Sequence, residues 1–137
     1  RDDGLALDDV YISAALRCAP PGNKPTPGEL ANCRPFLVQE LRLLKPRVAI
    51  CLGAIAWDAT LKAMSANGLE LPRPRPRFGH AVESRFGELM LIGCYHVSQQ
   101  NTFTGRLTPA MIDEVLNRAR EVAGQRRASS PAKLRSD

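Results

Sequence analysis

The stretch that most limits what this chain can become is "RVAICLGAIAWDATLKAM", Arg47 to Met64. Arg47 to Gly53 is short and apolar almost throughout, the pattern of a strand covered on both faces. Ala54 to Met64 then reads as a helix that starts straight after the glycine. Strand, glycine, helix is the repeating unit of a parallel sheet, whose neighbouring strands need a crossover between them. An α/β fold follows. A helix start behind a glycine is also a place for phosphate, which would make this a small-molecule enzyme binding nucleotide at Gly53. A tight turn is the simpler reading of that glycine.

Other segments extend the pattern. "DVYISAAL", Asp9 to Leu16, is β-rich and nearly continuous in apolarity, as a doubly covered strand should be. The proline-rich stretch from Arg17 to Pro27 forbids regular structure. Thr26, Pro27 and Glu29 then form the signature of a capping box, followed by Leu30, Cys33, Leu37, Leu41 and Leu44 at helical spacing. Pro35 inside this run predicts a break or kink. Asn67 to Glu88 reads as loop, Leu89 to Cys94 as a buried strand, and Thr108-Pro109 as the start of a helix carried by Ile112, Val115, Leu116, Ala119 and Val122. Beyond Gly124 the sequence is basic and short of apolar residues, so the expectation is one domain over 1–123 and a disordered basic tail over 124–137.

With 137 residues, 44% hydrophobic and 24% charged, the chain is sized for a single globular domain. No stretch has the length and apolarity of a membrane span or the layout of a signal peptide, so a cytoplasmic protein with no membrane partner is expected. The formal net charge of +5 favours an anionic partner such as nucleic acid. Arg1 stands first in place of a methionine, and the chain is read as a fragment with coding sequence upstream.

Chemistry concentrates in "GCYHVSQQNTFTGRLTP", Gly93 to Pro109, where amides and hydroxyls crowd between a strand and a helix start. Ligands of open parallel sheets bind at the carboxyl ends of strands. This loop and the one from Arg17 to Pro27 are both expected to leave such ends and to share one rim. Among the four cysteines, Cys51 and Cys94 sit in or at the end of apolar strands and read as core. Cys18 and Cys33 are equally a buried thiol pair or half of a metal site, because their spacing fits no short zinc rule. Arg73, Arg75 and Arg77 alternate along the stiff "PRPRPRF" and are either phosphate contacts or a solvated loop.

"DVYISAALRCAPPGNKPTPGELANC", "RPRPRFGH" and "YHVSQQNTFTGRLTPAM" resemble segments of the family 5 uracil-DNA glycosylases, the branch that carries an iron-sulfur cluster. The resemblance spans Arg1 to about Ala123. It implies a three-layer α/β/α sandwich with a central parallel sheet, here incomplete at its amino end. It also implies a monofunctional, monomeric DNA-repair glycosylase that flips uracil and other deaminated bases out of single- or double-stranded DNA and hydrolyses the N-glycosidic bond. Cys18 and Cys33 match the second pair of the four cysteines that hold a 4Fe-4S cluster. The first pair and the acidic residue that serves the water would lie upstream, leaving this chain with half of the site and inactive alone. A non-enzymatic DNA- or metal-binding remnant of the same fold is the competing expectation.

On the same resemblance His96 is the catalytic donor to the leaving base, and Asn101 a second active-site residue. Asn23 binds the base, although asparagine beside proline and glycine also makes simple turns. Ala14 replaces an asparagine that reads the uracil edge in family 4 enzymes, which implies broader base selection, unless it is only a small core residue. Phe103 and Thr104 belong to the DNA-probing part of the loop; Phe103 either inserts into the duplex or packs under its own loop. Val97 departs from the proline usual after the motif histidine.

Overall fold

The computed structural model of the chain describes residues 3–4 and 6–129. Helix α1 (Pro27–Leu44) starts as its signature dictates: Glu29 N–H donates to Thr26 Oγ1 at 3.2 Å, and the Glu29 carboxylate accepts from Thr26 N–H at 2.7 Å. It stops at Lys45, in the left-handed region at φ 44°, ψ 59°. The break expected at Pro35 does not occur, and the helix runs through it. Ala31, whose carbonyl loses its partner at Pro35, is exposed along with the proline, so solvent can serve that oxygen.

Strand β1 (Val48–Leu52), helix α2 (Ala54–Ala66) and strand β3 (Leu89–Cys94) form the expected βαβ core. β1 and β3 pair in parallel from Val48 opposite Met90 to Leu52 opposite Cys94. A further strand, β2 (Glu83–Phe86), lies within the stretch read as loop and pairs antiparallel with β3, giving the order β1-β3-β2. The sheet is therefore mixed, with one parallel pair and one antiparallel edge. "ESRF" buries only Phe86, so its alternation is too weak to stand out. Arg118 from helix α4 (Pro109–Ser129) grips Glu83 with Nε at 2.5 Å and Nη2 at 3.1 Å. These hydrogen bonds hold the Glu83 carboxyl below its ordinary pKa.

The sheet separates two apolar layers. Leu91 and Cys51 pack with Trp57, Leu61, Met64 and Phe86 on the side of α2, against which α1 rests. Met90, Ile92 and Cys94 point the other way, onto Leu107, Val115 and Val122. Helix, sheet, helix is the three-layer sandwich. Helix α4 continues past Gly124 to Ser129, and the rest of the expected basic tail lies outside the described residues.

The amino-terminal segment departs from expectation. Asp9 to Leu16 is no strand: Val10, Tyr11 and Ile12 are exposed, and no ladder bond reaches them. Tyr11, Ser13 and Arg17 instead converge on the carboxylate of Glu40 in α1. β-propensity becomes a strand only where a neighbour supplies the ladder, and here side chains anchor the segment to a helix.

Candidate active site

The carboxyl ends of β1 and β3 meet at a rim. Gly53 N–H donates to Cys94 C=O at 2.8 Å, one step beyond the last register pair, and so carries the pairing into the turn. Gly53 itself has φ 96°, ψ 167°, a conformation that side chains resist. A Cβ on it would lie 3.3 Å from His96 Cβ. The glycine of the βα turn and the motif histidine are thus neighbours, and His96 stands exposed beside the start of α2, which no side chain caps.

The polar run after His96 is not open loop. Ser98 Oγ accepts from Asn101 N–H at 3.3 Å and caps the short helix α3 (Gln99–Phe103). Asn101 Nδ2 donates to the His96 carbonyl at 2.8 Å, and the Asn101 carbonyl accepts from the N–H of buried Leu107 at 3.0 Å. Thr102 and Thr104 hydroxyls donate to the carbonyls of Ser98 and Gln100, at 2.9 and 2.7 Å. Much of the amide and hydroxyl content therefore holds the loop in one shape. Phe103, at the end of α3, is 85% exposed, so it does not pack under its own loop.

The arginine-rich stretch runs back along α2 toward the same rim. Trp57 Nε1–H donates to Pro76 C=O at 2.9 Å, and the Trp57 and Phe78 rings meet edge-on with centroids 6.2 Å apart. Phe78 touches Tyr95 at 6.3 Å, and the Arg106 guanidinium lies 4.8 Å from the Tyr95 ring centroid on this aromatic chain. Arg73, Arg75 and Arg77 are exposed, and Arg75 approaches Asp58 at 3.8 Å. Arg73 and Arg75 also line an open cleft of about 580 Å³ that reaches Ser65, at the far end of α2 from His96. Arg77, next to Phe78, is nearest to the site in the chain.

Asn23, Ala14, Cys18 and Cys33 are not joined to this cluster by any hydrogen bond or ring contact among the described residues. Asn23 follows Gly22 in a left-handed turn, at φ 56°, and its N–H donates to Pro20 C=O at 3.1 Å. Ala14 is exposed, so it is not a core residue here, and the loop from Arg17 to Pro27 does not leave a sheet strand. Cys18 is exposed and Cys33 is buried in α1. No three His, Cys, Asp or Glu side chains among the described residues group as a metal site. Two thiolates make half of a four-cysteine cluster set, so these residues do not complete one by themselves. Cys51 and Cys94 are core thiols: burial pushes Cys51 up to about 11, against a hydrogen bond with Thr60, and raises Cys94 as well. Neither is a thiolate at neutral pH.

Two contributors escaped the sequence reading: Gly53 as the neighbour of His96, and His80, whose Nδ1 accepts from Tyr95 N–H at 3.1 Å. Nothing local in "FGHAV" signals that contact.

The family described as the uracil DNA glycosylase superfamily matches residues 2–120. A type-5 uracil-DNA glycosylase of Mycobacterium bovis is 47% identical over 125 residues, 89% of this chain and 45% of its own. One of Thermus thermophilus is 45% identical over 124 residues, 89% of this chain and 54% of its own. A type-4 enzyme of Archaeoglobus fulgidus is 33% identical over 94 residues, 68% and 47% of the two chains. The chain spans about half the length of the relatives it matches.

Proposed function

This chain belongs to the uracil DNA glycosylase superfamily, and we propose on that premise that the protein carrying it removes uracil and other deaminated bases from DNA by hydrolysing the N-glycosidic bond. One observation carries the reading: an exposed His96 at the carboxyl end of the parallel pair, against Gly53 and tied through its carbonyl to Asn101. As the bond to the sugar breaks, its electron pair passes to the departing base; water adds its oxygen to the sugar carbon, and the proton it sheds ends on the released base. The His96 imidazole donates an N–H to the base oxygen where that charge gathers, a bond that strengthens as the charge develops. Asn101 holds the His96 backbone with one amide N–H, and its Oδ1 takes no hydrogen bond among the described residues.

Phe103 is the element that enters the duplex. Largely exposed on a short helix, it gains on the order of 2 kcal/mol when buried, against a few kcal/mol for extruding a base. Thr104 beside it and the exposed Arg73, Arg75 and Arg77 serve the phosphates, an interaction that weakens with salt. Asn23 and Ala14 line the base site, and the missing amide at Ala14 widens base choice to include hypoxanthine; strict uracil specificity in single-turnover assays would refute that. Cys18 and Cys33 supply two of the four ligands of a structural 4Fe-4S cluster. The protein acts as a monomer in the cytoplasm; among its described residues no helix is long and apolar enough to cross a membrane.

The deciding experiment is His96→Ala in the protein carrying this chain. Uracil release under single-turnover conditions is expected to slow ~100- to 1000-fold with DNA affinity nearly unchanged, because the bond matters most in the transition state. A variant that loses DNA binding but keeps the chemical rate would show that His96 does something else.

A further inference from the structure

We infer that His80 is a positioning residue for His96, acting as the acceptor that fixes the last backbone N–H of the strand before it. The inference rests on the glycosylase reading for its consequence in rate, but the contact itself is independent of that reading. β3 ends at Cys94, and beyond the regular ladder it keeps backbone partners through a bulge: Ala81 N–H donates to Gly93 C=O at 2.8 Å, and Gly93 N–H to Val82 C=O at 2.9 Å, with Ala81 at φ 61°. At Tyr95, where a carbonyl would come next, the acceptor is instead the imidazole Nδ1 of His80 at 3.1 Å. Tyr95 N–H is thus held by a side chain, one residue from His96.

The imidazole is delivered there by close packing. Gly79 C=O occupies the space of a Cβ on Gly93, at 2.2 Å from where that atom would stand, so the bare Gly93 allows the backbone leading into His80 to lie directly on β3. The ring then lies against Tyr95 with centroids 4.9 Å apart and planes tilted by 37°. Tyr95 is thereby held by His80 at its N–H and ring, and its ring also meets Phe78 and the Arg106 guanidinium.

Because Nδ1 accepts, the ring hydrogen sits on Nε2. That Nε2 is buried and finds no partner among the described residues. A phenylalanine would stack on Tyr95 without burying an unpaired N–H. What only the imidazole supplies is the acceptor at Nδ1, and that is the feature the structure retains at a cost. A hydrogen on Nδ1 would face the Tyr95 N–H donor to donor.

Two substitutions separate acceptor from ring. His80→Asn keeps an acceptor near the Nδ1 position and loses the stack; His80→Phe keeps the stack and loses the acceptor. In single-turnover uracil release by the protein carrying this chain, His80→Phe is expected to slow the reaction about ten- to a hundredfold with DNA affinity unchanged, since small misplacements of reacting groups have effects of that order. His80→Asn is expected to restore most of the rate. A His80→Phe variant at the wild-type rate, or a His80→Asn variant as slow as His80→Phe, overturns the assignment. Long-range proton–nitrogen correlation spectra of the unsubstituted protein provide the second arm. They are expected to show His80 protonated on Nε2 alone; hydrogen on Nδ1 overturns the proposal whatever the variants do. Should the unsubstituted protein release no uracil, the glycosylase reading fails, and the spectra still decide the role of His80 at Tyr95.

Discussion

Replacing Gly53 with alanine tests the rim where structure and chemistry coincide. The backbone there, at φ 96° and ψ 167°, lies in a region other residues enter only under strain, of order 1–3 kcal/mol. The added Cβ would also stand 3.3 Å from His96 Cβ, so one of the two must yield by a few tenths of an ångström. The side that yields most easily is the exposed His96 rather than the turn, which is fixed by the Gly53 N–H bond to Cys94 and by Trp57 N–H donating to Gly53 C=O at 3.1 Å. The combined effect is roughly 2–3 kcal/mol, a fall in melting temperature of about 5–12 °C for a domain of this size. Uracil release should fall with it, by about tenfold or more, because the displaced group is the proposed donor. Thermal unfolding and single-turnover kinetics on the same preparation measure both. Gly124→Ala is the control of opposite sign: Gly124 lies inside α4 with nothing within 4 Å of the new Cβ, so it should gain about 0.5–1 kcal/mol. A Gly53→Ala protein that melts with the wild type and retains its rate would refute the reasoning, since neither strain nor contact would then be felt.

Gly93→Ala should be more damaging to stability, because its Cβ would meet backbone rather than a side chain, 2.2 Å from Gly79 O. Losing the two bonds between Gly93 and residues 81 and 82, with the overpacking, predicts roughly 2–5 kcal/mol in urea denaturation, and a change below about 0.5 kcal/mol would contradict the packing described. Cys33→Ser should lower the iron content and visible absorbance of the protein carrying this chain, whereas unchanged iron would remove Cys33 from the ligand set.

What was legible in the sequence was local. The capping box of α1, the strands β1 and β3 and the helix after Gly53 follow from periodicity and end signals within a few residues, and those elements form as expected, although β1 lies at the sheet edge and buries only Cys51. The two failures over strands share one cause. "DVYISAAL" has the composition of a strand but no ladder partner, and "ESRF" lacks the composition of one yet gains its place from β3 and from Arg118. Strand formation depends on a neighbour distant in sequence, which a local pattern does not encode.

The same limit governs the site. His96, Asn101 and Phe103 were found through a motif whose own amides and hydroxyls hold its loop, yet what sets that loop against the sheet was not in it. Gly53 reads in sequence as a turn or a phosphate loop, and Gly79 and Gly93 carry no signal of their own. Only the register that sets Leu52 against Cys94 brings Gly53 beside His96. Only the absence of a side chain on Gly93 lets the loop through Gly79 lie flat enough for His80 to reach Tyr95. Gly53 therefore has its reason in His96 and Gly93 in Gly79, neighbours that lie well outside any local pattern. Substitutions at these glycines should alter the motif loop without touching any residue in it, a coupling that a list of motif residues does not contain.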